Sequence, residues 1–181
     1  MKSISITITY LIFFVLVTTT STATASSDDN SEAAGITKAM ELYVQATPMD
    51  VNAPQRMELL NRAESILTDV IEKYPESLDA HRKLMGVYLQ KRDYRKAVET
   101  MQSAIVLSPE DPKLFIALAI LYDHQGAYEY AVPVLDQALE LAPNNQMALD
   151  YKTSIQQKIE MQKLAMESTT APHEMIEPHS K

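Results

Sequence analysis

Two consecutive stretches of this chain, Leu78–Asp111 and Pro112–Asn145, repeat one another at a constant offset of 34 positions. A repeat of this length indicates a stacked helical array, in which each unit buries its apolar face only against its neighbours. The sequence therefore predicts an all-α fold that acts by binding rather than by catalysis. The matching pairs are Leu84 and Leu118, Tyr88 and Tyr122, Tyr94 and Tyr128, Ala97 and Ala131, Ala104 and Ala138, Leu107 and Leu141, and Pro109 and Pro143.

The spacing of apolar residues divides the rest of the chain into further helices. Residues 32–75 form a degenerate repeat, because Ala63 and Leu67 fall on the repeat positions of Ala97 and Met101. This first repeat has an enlarged internal loop, since the segment 47–54 contains two prolines. A polar-backed capping helix is expected after the last repeat, at 146–166. The helices are predicted at about 32–45, 55–73, 78–90, 94–107, 112–124, 128–141 and 147–166.

Turn and cap residues agree with these boundaries except at one position. Asp111 followed by Pro112 fits an N-cap before a proline at the first helical residue, and Gly126 fits the turn between the helices of the last repeat. Pro133 conflicts with its helix, because it forfeits a backbone hydrogen bond or bends the axis.

Residues 1–25 have the order of a secretory signal peptide. Lys2 precedes a short apolar run that ends near Val17, and Ala23-Thr24-Ala25 matches a cleavage site. Spanning a bilayer needs roughly 20 apolar residues, more than this run supplies. We expect cleavage before Ser26, a flexible leader at 26–31 and a periplasmic protein. Secretion, or a membrane tether through an uncleaved signal, remains the alternative.

Charge and cysteine content exclude several classes of partner and scaffold. The chain has 16 Lys and Arg against 24 Asp and Glu, and removing residues 1–25 lowers its net charge from −8 to −9. This acidic balance argues against nucleic acid or anionic lipid as the main partner. The absence of Cys excludes a disulfide scaffold, so an exported protein of this kind must be stabilised by its own core.

The repeated residues resemble those of the tetratricopeptide repeat (TPR) family. The last repeat carries nearly the whole family pattern, and the middle repeat departs from it by placing Met85 where Gly or Ala is usual. The resemblance implies a short right-handed solenoid of about three helix pairs plus a C-terminal capping helix. In the last repeat the pattern consists of Phe115, Leu118, Ala119, Tyr122, Gly126, Tyr128, Ala131, Leu135, Ala138 and Pro143.

The resemblance also implies a partner-binding groove lined by the first helix of each repeat. Its best-known use is a clamp of Lys, Arg and Asn that holds a C-terminal carboxylate. Only Arg82 fits that clamp here, because Gly86 and Ala117 stand where asparagines are required. An apolar centre with mixed charges around it favours an amphipathic helix or extended segment as the ligand. The predicted groove residues are Arg82, Leu89, Gln90, Lys113, Ile116, Ile120, Asp123 and His124.

Three alternatives to this groove stay open. Ile116 and Ile120 can instead be covered by the chain's own first helix or cap. The tail from 167 onward, expected to be disordered, contains His173 and His179 with Met and Glu between them, which are ligands that suit copper in a metal-handling accessory protein. Exposed repeat faces can also mediate self-association. A basic cluster from Arg82 to Lys96 fits a solvated face with charges at the helix ends, and a docking edge for an acidic partner is the alternative.

Catalysis has no support in these residues. Asp123 and His124 are neighbours on one helix and diverge by about 100°, so they do not converge on a substrate. His81 occupies a packing position of the repeat. No nucleophile motif, phosphate-binding Gly loop or closed metal set occurs in the sequence, so we expect no enzyme activity, no cofactor and no metal at the predicted groove.

Overall fold

The computed structural model describes residues 25–170, and these form seven α-helices. Residues 1–24 of the expected signal peptide and the segment 171–181, with both tail histidines, lie outside the described residues. The helices are α1 Ala25–Ala46, α2 Pro54–Lys73, α3 Leu78–Lys91, α4 Tyr94–Leu107, α5 Pro112–His124, α6 Tyr128–Leu141 and α7 Gln146–Thr170.

The helix boundaries follow the sequence closely in the repeats and less closely outside them. Helices α4, α5 and α6 begin and end at the predicted residues. Helix α1 begins at Ala25, so the segment 26–31 is helical and not the expected leader. Helix α7 continues to Thr170, so residues 167–170 are helical where disorder was expected.

Side-chain caps explain why several of the helices begin where they do. The Ser77 hydroxyl accepts a hydrogen bond from the Ala80 N–H at 3.2 Å. Asp93 and Asp111 accept from backbone N–H groups at the starts of α4 and α5 in the same way. Each cap satisfies one of the N–H groups that a helix start leaves without a partner.

The helices pack as three successive pairs, α1 with α2, α3 with α4 and α5 with α6, followed by the single helix α7. Neighbouring pairs also contact one another through α2 and α3 and through α4 and α5, and α1 touches α3. This is the all-α helical-repeat solenoid that the 34-residue period predicts.

The two turns between paired helices in the regular repeats share one backbone device. Arg92 and Gly126, 34 residues apart, have positive φ values of 59° and 70°. In each turn the next residue then donates to a tyrosine carbonyl, Asp93 N–H to Tyr88 at 3.0 Å and Ala127 N–H to Tyr122 at 2.9 Å. Gly126 thus makes the turn predicted for it.

Close approach of helices explains one further glycine. A Cβ atom at Gly35 of α1 would lie 2.6 Å from Cγ2 of Val70 on α2. Pro133 lies inside α6, which nevertheless runs unbroken from Tyr128 to Leu141, with the proline exposed on its outer side. The expected cost at Pro133 is therefore one missing backbone donor and not a helix break.

Buried side chains form two clusters that meet at α5. The first cluster contains Leu114, Leu118 and Leu121 of α5 together with residues from α1 to α4. The second contains Ile116 and Ala119 of the same helix with residues from α6 and α7. Because both clusters draw on α5, this helix is apolar nearly all round.

Candidate partner-binding face

The eight predicted groove residues all lie on α3 and α5, the first helices of the two regular repeats. Arg82, Leu89 and Gln90 are on α3, and Lys113, Ile116, Ile120, Asp123 and His124 are on α5. The 34-residue offset makes Ile116 equivalent to Arg82 and Ile120 equivalent to Gly86. The two helices therefore present the same set of positions, and their surroundings can be compared directly.

The α5 part of this face is covered by the capping helix α7. Ile116 is 3% exposed and belongs to the core cluster that contains Ala148 and Ile155 of α7. Ile120 is half-buried and packs against the same cluster. Ile116 is thus a core residue, which corrects the expected position in an exposed apolar centre. The burial of Ile116 in a cluster to which α6 and α7 both contribute favours the alternative that the chain itself covers this side chain.

Asp123 joins α5 to α7 through two side chains of the capping helix. Its carboxylate accepts hydrogen bonds from Lys158 Nζ at 2.6 and 2.8 Å and from the Tyr151 hydroxyl at 2.9 Å. The Lys158 ammonium also lies 5.6 Å from the centroid of the Tyr128 ring. Burial, together with the hydrogen bond to Asp123 and its charge, raises the pKa of Tyr151 to about 12. Asp123 therefore holds the cap in the folded chain.

At the other end of the face, Gln90 is held by a buried arginine from the preceding repeat. Arg56, 4% exposed, donates from Nη2 to the Gln90 side-chain oxygen at 2.6 Å and to its carbonyl at 3.1 Å. The Gln90 amide in turn donates to the Tyr43 hydroxyl at 3.4 Å. Among the described residues, Arg56 Nε is buried with no hydrogen-bond partner.

Sequence reasoning missed Arg56, although a signal for it exists. Helices α4 and α6 begin three residues before Ala97 and Ala131, whereas α2 begins nine residues before the equivalent Ala63. The additional N-terminal turns of α2 reach the end of α3, where an arginine favours the negative end of the helix dipole. The greater length of α2 could therefore have indicated that Arg56 lies near the end of α3.

Between these two ends, the face stays open around Gly86. A Cβ atom at Gly86 would meet nothing within 4 Å. The side chains of Arg82 and Lys113 are exposed, and Leu89 is half-buried. We call these four residues the open strip: Arg82, Gly86, Leu89 and Lys113. It offers two cationic side chains and room beside a small residue, without the wide apolar centre that the sequence predicted.

His124, the last predicted groove residue, is exposed at the end of α5. Its ring stacks on Tyr94 of the preceding repeat, with centroids 5.8 Å apart and planes 8° from parallel. Asp123 and His124 therefore contact different partners. His81 is buried, with Nδ1 2.8 Å from the Ser77 carbonyl, at the packing position predicted for it.

Much of the basic cluster is paired within the chain. Lys91 and Lys96 both donate to the Glu64 carboxylate. Burial raises the pKa of Glu64, but the hydrogen bonds and positive charges of the two lysines outweigh it and hold that pKa below its usual value. Arg95 pairs with Glu99 at 2.8 Å, and Lys83 lies 3.8 Å from Asp79. These pairs describe a charged helix face, and its use as a docking edge stays a prediction.

Residues 25–170 contain neither a metal-binding cluster nor a membrane-spanning helix. This part of the chain contains no group of three or more His, Cys, Asp or Glu side chains placed to hold a metal ion. Within the same residues, no helix is both long and apolar enough to cross a membrane.

Comparison with known sequences and structures identifies the repeats. Two sequence models described as Tetratricopeptide repeat match residues 84–155 and 55–112. The uncharacterized protein y4yS of Sinorhizobium fredii is 26% identical over 102 residues, which cover 54% of this chain and 56% of that protein. The chain thus spans about half the length of this curated relative.

Two solved structures share the fold. The thermophilic TPR protein TTC0263 of Thermus thermophilus has a TM-score of 0.58 at 22% identity, covering 69% of this chain and 62% of that one. The first TPR of Spaghetti (RPAP3), bound to the HSP90 peptide SRMEEVD, has a TM-score of 0.51 at 18% identity, covering 68% and 94%. Together the two family models match residues 55–155, so this part of the chain consists of tetratricopeptide repeats.

Proposed function

We propose that this protein is a non-catalytic adaptor that binds a segment of a partner protein along the open strip. The observation that carries the proposal is the contrast between equivalent positions on α3 and α5. Ile116 is buried and Ile120 is half-buried in a cluster that includes residues of α6 and α7, whereas Arg82 is exposed and Gly86 faces open space. The strip is a surface that the described part of the chain leaves uncovered.

The side chains of the strip indicate the chemistry of the partner. Arg82 and Lys113 place positive charge on a protein whose net charge is −8. A segment with acidic side chains beside one small apolar anchor complements these cations and Leu89. The peptide in the RPAP3 structure, SRMEEVD, is acidic, so a domain of this fold binds a ligand of that kind. Fold similarity alone does not transfer that partner to this chain, and the partner here is defined by charge and size.

Substitutions at Gly86 test the proposal without disturbing the core. Gly86→Trp fills the open space on the strip, and Gly86→Ala is the matched control. We expect at least a tenfold loss of partner recovery for the Trp variant in affinity capture after cross-linking, with helicity retained and the Ala variant unaffected. If the Trp variant still retains the partner, the interface does not lie on the strip.

Charge reversal at the strip provides an independent test. The double variant Arg82→Glu, Lys113→Glu should bind an acidic partner more weakly. The salt dependence of binding should also fall, because two cations are removed from the interface. Arg95→Glu, on an exposed face away from the strip, is the control. An equal loss of binding in the Arg95→Glu variant and in the double variant would indicate a non-specific effect of net charge.

We further propose that the protein acts outside the cytoplasm after removal of residues 1–25. The support is the order of charge, apolar run and Ala-x-Ala site in that segment. Intact-mass measurement of the protein recovered from its native compartment should give a chain that starts at Ser26. A chain that starts at Met1 would favour the uncleaved tether.

A further inference from the structure

The last turns of α7 form one wall of a notch. The notch has a volume of about 330 Å³, and its other wall is the start of α6. Ile159, Gln162, Lys163 and Met166 line it on the α7 side, and Gly126–Tyr130 line it on the other.

The notch combines apolar and charged side chains, and an apolar or aromatic side chain on each wall is largely exposed. Ile159 and Met166 lie on the same side of α7 as the buried Ile155, because they follow it at helical spacing. Nevertheless Met166 is 65% exposed, and Tyr130 on the facing wall is 67% exposed. Apolar and aromatic side chains on two facing walls form a surface suited to an inserted segment.

We propose that the segment 171–181 of this chain folds back and occupies the notch, with Met175 and Ile176 between its walls. The described part of α7 reaches Thr170, and Pro172 opposes a helix through the residues that follow, so the chain can reverse direction there. Met175 and Ile176 are the large apolar residues of this segment.

The distances allow this return. Thr170 lies about 6 Å along the helix axis beyond Met166 and about 16 Å beyond Ile159. The five residues from Thr170 to Met175 reach at most about 17 Å when extended. The apolar pair can therefore lie anywhere between Met166 and Ile159, which is the length of the notch.

Charges and side-chain alternation select one register. In an extended segment between two walls, successive side chains face opposite walls. With Glu174 beside Lys163, Ile176 also faces the α7 wall. His173 and Met175 then face the wall that carries Glu129 and Tyr130, where a thioether packs well against a ring. In this register Lys163 lies beside Glu174, which has the opposite charge, and Glu129 lies beside His173, which can be protonated.

Tethering favours this segment over a second copy of the chain. A segment joined by a few residues has an effective concentration near the millimolar range, so a weak contact is populated within one molecule. A second copy would have to compete with it at its own, lower concentration.

Methyl NMR of the chain from Ala25 onward, labelled at methionine, tests the proposal, because this chain keeps every described helix. We expect contacts between the Met175 methyl and the Tyr130 ring in the nuclear Overhauser spectrum. Truncation after Thr170 should shift the Met166 methyl and leave that of Met161 unchanged, since Met161 is on α7 but does not line the notch. A Met175 methyl without ring contacts and an unshifted Met166 would overturn the proposal.

Charge exchange and dilution complete the test. Lys163→Glu should lower the docking equilibrium constant about two- to fivefold, the effect of one exposed ion pair, and Glu174→Lys in the same chain should restore it. Failure of the second change to restore docking would contradict the register. Notch signals that depend on protein concentration and persist after truncation would show a second copy in the notch and overturn the proposal. None of these results depends on the open strip.

Discussion

Arg92 and Gly126 occupy the same position in successive repeats, and both adopt left-handed backbone conformation, with φ of 59° and 70°. Glycine adopts this conformation without strain, whereas a residue with a Cβ atom pays about 1–2 kcal/mol. The packing of the two helices of a repeat therefore determines the conformation of the turn, and Arg92 adopts it although this lowers the stability of the folded chain.

Opposite substitutions at these two positions should have opposite effects. Arg92→Gly should raise the free energy of unfolding by about 0.5–1 kcal/mol, because relief of strain exceeds the added entropy of the unfolded chain. Gly126→Ala should lower it by about 1 kcal/mol. Urea denaturation followed by circular dichroism measures both, and a stabilised Gly126→Ala variant would contradict the argument.

Alanine at the two helical glycines Gly35 and Gly86 should separate close packing from open space. Gly35→Ala should destabilise by about 1–3 kcal/mol, since its Cβ would meet Val70 Cγ2 at 2.6 Å. Gly86→Ala should stabilise by about 0.5–1 kcal/mol through helix propensity alone. Adding Val70→Ala to Gly35→Ala tests the contact, because the double variant should lose less than the sum of the single losses.

Removal of the Asp123 carboxylate should release the capping helix. Asp123→Ala leaves the Lys158 ammonium and the Tyr151 hydroxyl without their partner on α5, at a cost of about 1–3 kcal/mol. Hydrogen exchange should accelerate mainly in residues 148–159. Lys152→Ala, which removes the more exposed pair of Lys152 with Asp136, is the control and should change exchange much less.

The same contact should be visible at high pH. The pKa of Tyr151 is raised to about 12 from the ordinary value of 10, so the unfolded chain loses this proton at lower pH than the folded chain does. Its contribution to stability is complete below pH 10 and is lost as the pH rises towards 12. A phenolate absorbance titration of wild type and Tyr151→Phe should show one late-titrating group missing from the variant.

Glu64 should contribute to stability in the opposite pH range. Its pKa is held below the ordinary value of 4.5, so its contribution is present above pH 4.5 and is lost as the pH falls through the folded-state pKa. Glu64→Gln should flatten the acid side of the stability profile and lower stability at pH 7. Glu99→Gln, whose partner Arg95 is exposed, is the control, and an equal flattening there would remove the specific role of Glu64.

Local patterns predicted the repeats because their residues act locally. Asp93, Pro112 and Gly126 act on helix starts and a turn within a few residues of themselves, so the boundaries of α4, α5 and α6 followed from sequence. The groove was less predictable, because the exposure of Ile116 depends on where α7 lies, and that depends on contacts 35 or so residues away. Arg56 was missed for the same reason, since its partner Gln90 belongs to the next repeat.

Helix α5 supplies Leu114, Leu118 and Leu121 to one buried cluster and Ile116 and Ala119 to the other. Opening its backbone therefore exposes both halves of the interior at once, whereas opening α1 or α7 exposes only one. Backbone amides of α5 should consequently exchange with solvent only when the whole molecule unfolds, and their protection would report the global free energy of unfolding. We therefore expect this chain of repeats to open first at its two ends and last at the helix that both clusters share.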